Sequence, residues 1–160
     1  MAKQYRVAVL SDIHGVLPAL ETVLDDIAVL DVDETVVAGD LVLFGLEPLE
    51  CLKRLKNLNA PTICGNTEMY LTTESHEKFN EPAMVWVRNQ IGEDGKKWLA
   101  DLEFDHRITP PDGKSPNDDL LIVHASPTDV ELAPLGFGPV EVPQDKAASL
   151  LGDASANLII

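Results

Sequence analysis

The chain has 160 residues, of which 45% are hydrophobic, and a formal net charge of −15. This length and apolar content fit a single domain, residues 1–160, with a sizeable core, whereas the acidic balance and the lack of any Lys/Arg cluster argue against bulk nucleic acid or an anionic membrane as partners. No apolar stretch approaches the ~20 residues of a membrane span, no signal peptide precedes the first strand-like run, and the two cysteines fit buried thiols, so we expect a cytoplasmic protein.

In the first half of the chain, short apolar runs alternate with amphipathic segments. Residues 5–10, 35–38 and 62–64 are predicted strands. Leucines at helical spacing predict one helix that Pro18 opens and a second that begins at Pro48. This alternation predicts a mostly parallel sheet covered by helices, with ligands bound at the carboxyl ends of the strands.

The second half of the chain is less regular. Residues 81–91 and 94–102 are predicted to form two helices, with Trp86 and Trp98 as core anchors. A loop rich in Pro, Gly and Asp covers residues 109–119, and a strand over 120–123 follows. Residues 143–151 are predicted as a last helix, and residues 157–160 begin a further strand.

Polar residues follow four of the apolar runs. These motifs are Ser11-Asp12-Ile13-His14-Gly15, Gly39-Asp40, Gly65-Asn66 and Val123-His124. Because parallel strands end at the same edge of a sheet, we expect the four motifs to lie close together. Carboxylate, amide and imidazole ligands at one edge predict a metal site built for phosphate chemistry.

The ligand types further predict a site with two metal ions. Two divalent cations that share a carboxylate can clamp a phosphate and generate a bridging hydroxide for in-line attack, with no covalent enzyme intermediate. Asp40 is the candidate for the shared carboxylate. Asp12 and His14 would serve one metal, and Asn66 and His124 the other. Such mixed ligands suit Mn²⁺ first, with Fe²⁺ or Zn²⁺ as alternatives.

Each motif also has an ordinary structural interpretation. Asp12 could cap the helix that follows it, and Gly39-Asp40 and Gly65-Asn66 could be simple turns. His124 could be a satisfied core histidine. The metal site is favoured because all four features follow predicted strands in succession.

The remaining acidic and histidine features are interpreted as surface features. Residues 31–35 look like the D-x-D-x-T nucleophile motif of haloacid-dehalogenase-type phosphotransferases. That motif requires a strand before Asp31, whereas the preceding residues complete a helical stripe, so Asp31 and Asp33 are expected in a solvated connection. His76 and His106 have no comparable context.

With these motifs, the chain resembles the calcineurin-like metallophosphoesterase superfamily, most closely its small prokaryotic phosphodiesterase-like branch. The resemblance runs from residues 11–20 through 39–42 and 65–66 to 123–127. It implies a four-layer α/β/β/α sandwich around a dinuclear metal site. The site residues that it implies are Asp12 and His14 on one metal, Asp40 as the bridge, and His124 and the substrate-binding Asn66 on the other.

The chain departs from the family pattern at two places. Many members have Gly-Asn-His-Asp where this chain has Gly65-Asn66-Thr67-Glu68, so Thr67 replaces the histidine credited with protonating the leaving group. The branch often lacks that histidine too, which favours activated phosphodiesters over monoesters. Members also close the site with Gly-His-x-His just after a strand like residues 157–160, where this sequence ends. We therefore expect a domain truncated before that motif, with the C-terminal part of the second sheet missing.

These features together predict a metal-dependent phosphodiesterase that acts on a small phosphorylated ligand. The alternative is a catalytically disabled fragment or a protein-binding scaffold on the same fold. The five candidate ligands favour the enzyme, whereas Thr67 and the missing closing histidines favour the alternative. An unpaired sheet edge would also favour association into a homo-oligomer.

Overall fold

A computed structural model describes residues 4–73, 81–134 and 142–160. The strands are β1 (Val7–Leu10), β2 (Glu34–Ala38), β3 (Thr62–Ile63), β4 (Asp105–Ile108), β5 (Leu120–Val123) and β6 (Leu158–Ile159). The helices are α1 (Leu17–Val29), α2 (Pro48–Leu58), α3 (Asn66–Thr72), α4 (Pro82–Ala100) and α5 (Gln144–Leu151). All the strands predicted from the sequence are present, with ends shifted by about two residues or fewer.

The strands form two three-stranded sheets. The first sheet has the order β1-β2-β3 and is parallel throughout, as predicted. In the second sheet, β5 is the central strand: β4 pairs antiparallel with β5, and β6 pairs parallel with β5. One buried cluster joins the sheets through Val36, Ala38 and Ile63 of the first and Ile108 and Ile122 of the second. The predicted architecture of two stacked sheets with helices is therefore confirmed.

Helices α1, α2 and α4 pack on a second apolar cluster that includes the first sheet. Its members include Leu10 and Val37 of the sheet, Leu20 and Leu24 of α1, Leu52 and Leu55 of α2, and Val87 and Ile91 of α4. Pro18 and Pro48 occupy the first turns of α1 and α2, where a missing backbone N–H removes no hydrogen bond. The sheet is thereby covered on both faces, and its carboxyl-terminal edge holds the polar motifs.

The segment labelled α4 contains two helical stretches, as predicted, because a non-helical backbone at Gly92 (φ 66°, ψ −174°) breaks it between the two predicted helices. Trp86 is 41% exposed, so its prediction as a core anchor is wrong. The buried stripe of α4 passes through Met84, Val87 and Ile91, and Trp86 lies off that stripe. Trp98 packs against the core as predicted.

Two elements were not predicted from the sequence, namely α3 and β4. Strand β4 was missed because three of its four residues, Asp-His-Arg, are polar. Only the fourth residue, Ile108, is buried. The interpretation of His106 as a surface residue is wrong, because its half-buried ring lies with Nε2 3.4 Å from Glu34 Oε1. Asp31 and Asp33 are exposed, as expected for a solvated connection, and His76 lies outside the described residues. Among the helices of the described ranges, none is long and apolar enough to cross a membrane.

The contact between the sheets predicts a large effect of truncating Val36, which is fully buried. We expect Val36→Ala to lower the free energy of unfolding by about 2 kcal/mol, because it removes two buried methyl groups and leaves a cavity. Val29→Ala is the matched control, because Val29 is 83% exposed at the end of α1, and it should change stability by less than about 0.5 kcal/mol. Urea denaturation measures both, and equal effects would contradict this packing.

Candidate metal centre

Asp12 and His14 lie on the loop between β1 and α1 in a left-handed backbone conformation. Their φ angles are 56° and 49°, which is uncommon for residues other than glycine. The loop after β2 holds them there, because His14 N–H donates to Asp40 O and Gly15 N–H donates to Leu41 O, each at 2.9 Å. Asp40 itself has a φ of 56°. The two loops therefore fix one another in otherwise unfavourable conformations.

Two glycines let the strand ends approach closely. A Cβ on Gly65 would lie 2.3 Å from Asp40 Oδ1, and a Cβ on Gly39 would lie 2.8 Å from His124 Nδ1. Both distances are shorter than any van der Waals contact. Any larger residue at either position would therefore push the site side chains apart.

The structure brings the five predicted ligands together around Asp40. His14 Nε2 lies 3.5 Å from Asp12 Oδ1 and 3.6 Å from Asp40 Oδ2. His124 Nε2 lies 3.4 Å from Asp40 Oδ1 and 3.1 Å from Asn66 Oδ1. Asp12, Asp40 and His124 each offer one ligand atom within 4.8 Å of the other two. The two oxygens of Asp40 thus face different histidines.

Both imidazoles turn Nε2 into this cluster while Nδ1 contacts the backbone. His14 Nδ1 lies 3.1 Å from Leu43 O, and His124 Nδ1 lies 2.8 Å from Ala38 O. A carbonyl oxygen only accepts, so the proton of a neutral ring belongs on Nδ1, and Nε2 keeps its lone pair. Metal-ligating histidines are commonly oriented in this way. The cluster then consists of acceptors that repel one another, and a divalent cation fits such a donor set.

Glu68 holds the backbone on which the centre is built, and it was not predicted as a site residue. Its side chain is 1% exposed, and its carboxylate accepts the N–H groups of Asp40 (2.8 Å), Leu41 (2.9 Å) and Gly65 (2.9 Å). Burial raises the pKa of the Glu68 carboxyl and nearby Asp40 adds to the rise, although the three backbone N–H groups lower it. The available sequence signal was a Glu three residues after a glycine, which is typical of a helix N-terminus.

Thr67 orients the bridging candidate. Its backbone N–H and its hydroxyl both donate to Asp40 Oδ1, at 3.0 and 2.9 Å. The side chain is 1% exposed, so the hydroxyl is enclosed and already engaged. Thr67 therefore positions a carboxylate and cannot protonate a leaving group.

Asn66 is positioned on both sides of its amide. Its Oδ1 contacts His124, and the side chain also hydrogen-bonds Tyr70, one helical turn later. The Tyr70 hydroxyl donates in turn to Glu131 Oε1 at 2.6 Å. Burial and the bond to Glu131 raise the pKa of Tyr70, so the hydroxyl stays protonated. This chain of contacts depends on α3, which explains why the sequence did not reveal it.

A cavity of about 510 Å³ lies beside Asp12 and His14. Apolar side chains form most of its wall, among them Val9, Ile13, Val16, Leu20 and Val23. The volume is that of a site for a small organic ligand. The polar cluster thus adjoins a mainly apolar space on the side of α1.

Comparison with known proteins identifies similar chains. Residues 5–150 match the family model of the calcineurin-like phosphoesterases. An uncharacterized protein from Methanocaldococcus jannaschii is 35% identical over 100 residues, which cover 60% of this chain and 41% of that relative. The chain therefore spans less than half the length of the curated relative that it matches.

Three solved structures share the fold. A metallophosphoesterase from Sphaerobacter thermophilus is 25% identical with a TM-score of 0.62, over 94% of this chain and 68% of that one. A hypothetical protein from Pyrococcus horikoshii is 20% identical with a TM-score of 0.67, and the match covers 92% of this chain and 64% of that one. A structure named as a candidate diadenosine tetraphosphatase is 27% identical with a TM-score of 0.57, and the match covers 78% of this chain and 52% of that one. The two-sheet architecture is therefore that of the metallophosphoesterase fold.

The contacts of Thr67 predict an effect on metal binding. Thr67→Val keeps the shape and the backbone N–H but removes the hydroxyl that donates to Asp40 Oδ1. We expect Mn²⁺ affinity to fall about tenfold, as for other outer-shell hydrogen bonds at metal sites. Isothermal titration calorimetry measures the affinity. Thr22→Val is the control, because Thr22 donates to Pro18 O on the exposed face of α1; an equal loss in both variants, or none in either, would contradict the role of Thr67.

Proposed function

The chain belongs to the calcineurin-like phosphoesterase family, and from that premise we propose that it is a metal-dependent phosphodiesterase acting on a small phosphorylated ligand. The supporting observation is the cluster of acceptors at the ends of β1, β2 and β5 and the start of α3. Its members are Asp12, His14, Asp40, Asn66 and His124. A phosphate approaches such an acidic cluster only when cations neutralise it.

We assign these side chains to two metal positions. Asp12 and His14 would hold one ion and Asn66 and His124 the other, with Asp40 shared between them. When bound, such ions supply Lewis acidity toward the phosphoryl oxygens and lower the pKa of a water nucleophile. Mn²⁺ is our first choice, with Fe²⁺ or Zn²⁺ as alternatives, because carboxylate, amide and imidazole donors suit these ions.

Asn66 is also our candidate for a direct substrate contact. A side-chain amide carries two N–H groups, and Asn66 turns its oxygen to His124 while it hydrogen-bonds Tyr70. Its second N–H can donate to a phosphoryl oxygen. Tyr70 and Glu131 would hold the amide in that orientation.

The position of Thr67 favours esters with a good leaving group, and the charge of the chain favours diesters over monoesters. The Thr67 hydroxyl is enclosed and donates to Asp40. Water must therefore protonate the leaving oxygen. Substrates whose ester oxygen leaves readily as an anion are then favoured. A diester also carries one negative charge less than a monoester dianion, which reduces its repulsion by a chain with a net charge of −15.

We further propose a cytoplasmic location, supported by the two cysteines. Cys51 and Cys64 are both free thiols. Burial raises the pKa of Cys51 to about 11 and also raises the pKa of Cys64. Protonated thiols are slow to oxidise, as expected of a protein in a reducing compartment.

Replacement of the proposed bridge tests the metal-dependent activity. We expect the wild-type chain to hydrolyse bis(p-nitrophenyl) phosphate only with Mn²⁺, and Asp40→Asn to lower kcat/KM at least about 100-fold, because one carboxylate charge shared by two ions is lost. Asp25→Asn is the control, since Asp25 is exposed on α1, and it should retain full activity.

Other outcomes of this assay are informative. Wild-type turnover that survives in Asp40→Asn would refute the role of the bridge. Binding of Mn²⁺ in calorimetry without turnover by the wild-type chain would refute the activity of this chain and favour a catalytically disabled fragment, whereas neither binding nor turnover would favour a binding scaffold on the same fold.

The substrate preference is tested separately. We expect kcat/KM for bis(p-nitrophenyl) phosphate to exceed that for p-nitrophenyl phosphate by about tenfold or more, because the diester carries one negative charge less and is repelled less by a chain with a net charge of −15. The two esters release the same p-nitrophenolate, so a difference in kcat/KM reflects the diester or monoester phosphate and not the leaving group. A preference for the monoester would overturn the diesterase assignment and leave the phosphoesterase assignment intact.

A further inference from the structure

We infer that Phe44 is a stacking platform for a planar aromatic group of the substrate, an inference that depends on the proposed function. Phe44 lies on the loop between β2 and α2, and its side chain is 65% exposed. Its ring centroid is 5.5 Å from that of His14, with an angle of 52° between the planes. The ring therefore stands directly beside the imidazole that faces Asp12 and Asp40.

The backbone of Phe44 is strained. Its φ is 85°, which lies in the region that favours glycine and is a genuine outlier for a bulky residue. Strain of this kind is characteristic of active sites and ligand clamps. A large aromatic side chain at such a position therefore calls for a role that glycine could not fill.

The loop fixes Phe44 on both sides. The carbonyl of the preceding residue, Leu43, accepts a hydrogen bond from His14 Nδ1 at 3.1 Å. The following residue, Gly45, packs so closely that a Cβ there would lie 2.2 Å from His14 O. Further along, Glu47 N–H donates to Gly15 O at 3.1 Å. The backbone that carries the ring is thus held in place before any ligand arrives, which lowers the entropic cost of binding.

The exposure of the ring distinguishes stacking from simple packing against His14. A phenylalanine that served only to orient His14 would gain most by burial, whereas this ring presents much of its surface to solvent. A planar π-system can lie on that surface while its phosphate occupies the cluster around Asp40. The chemistry points to aryl or nucleobase-bearing phosphoesters, because every base and every aryl group offers such a face.

Binding of two phosphonates to the Mn²⁺-loaded chain tests this inference. Phenylphosphonate and methylphosphonate share the phosphonate group and differ in the ring. We expect calorimetry to show that the wild-type chain binds phenylphosphonate at least about fivefold more tightly, in line with stacking on one aromatic side chain. Phe44→Gly should abolish that preference and leave the affinity for methylphosphonate unchanged. Because glycine accepts a φ of 85°, its Tm should be unchanged or higher.

Three further variants complete the test. Phe44→Tyr should keep the preference for phenylphosphonate, because it retains a flat ring. Phe44→Leu keeps apolar bulk without a flat ring and should lose the preference. Leu46→Ala is the matched control, because Leu46 is 87% exposed on the same loop, and it should keep the full preference. An unchanged preference in Phe44→Gly and Phe44→Leu, or an equal loss for both phosphonates, would overturn the stacking role.

The failure of this inference is separable from the failure of the proposed function. If Mn²⁺-dependent hydrolysis is present and the phosphonates bind equally well to the wild-type chain, the stacking role alone is wrong. If the wild-type chain neither hydrolyses the diester nor binds either phosphonate, both are wrong.

Discussion

The candidate centre depends on one buried carboxylate, that of Glu68. It accepts the backbone N–H groups of Asp40, Leu41 and Gly65, and so ties the end of β2 to the end of β3. Without it, three buried donors would lack partners, each at a cost of about 1–3 kcal/mol. The same contacts set the start of α3, and hence the places of Asn66 and Thr67. The placement of Asp40, Asn66 and Thr67 therefore depends on this single acceptor.

The site collects negative charge and lone pairs in a chain that is already acidic. Asp12 and Asp40 lie near two imidazole nitrogens that can act only as acceptors when neutral. Their backbones, with that of His14, adopt positive φ angles. With both rings neutral, these two features oppose folding of the metal-free chain, and bound cations would offset the first of them. A local loss of folding stability at clustered acceptors and strained backbones is typical of a functional site.

Apolar periodicity carried most of the fold prediction. It located β1, β2, α1 and α2, because each of them packs an apolar face against the core. It missed β4, whose charged residues face outward, and it misplaced Trp86, because residue type alone does not say which side of a helix is buried. The five proposed ligands could be named because each lies at a strand end or just beyond it. Glu68 and Thr67 could not, because their roles arise from hydrogen bonds to residues 27 or 28 positions away.

The centre also joins the two sheets. Asp12, Asp40 and Asn66 follow strands of the first sheet, whereas His124 follows β5 of the second, with its ring bonded to Ala38 across 86 positions of sequence. A cation held by both Asp40 and His124 would act as a cross-link between distant segments, comparable in effect to a disulfide that closes a long loop. Metal occupancy would then govern how tightly the sheets are held together, and docking of the second sheet would be the folding step that completes the centre.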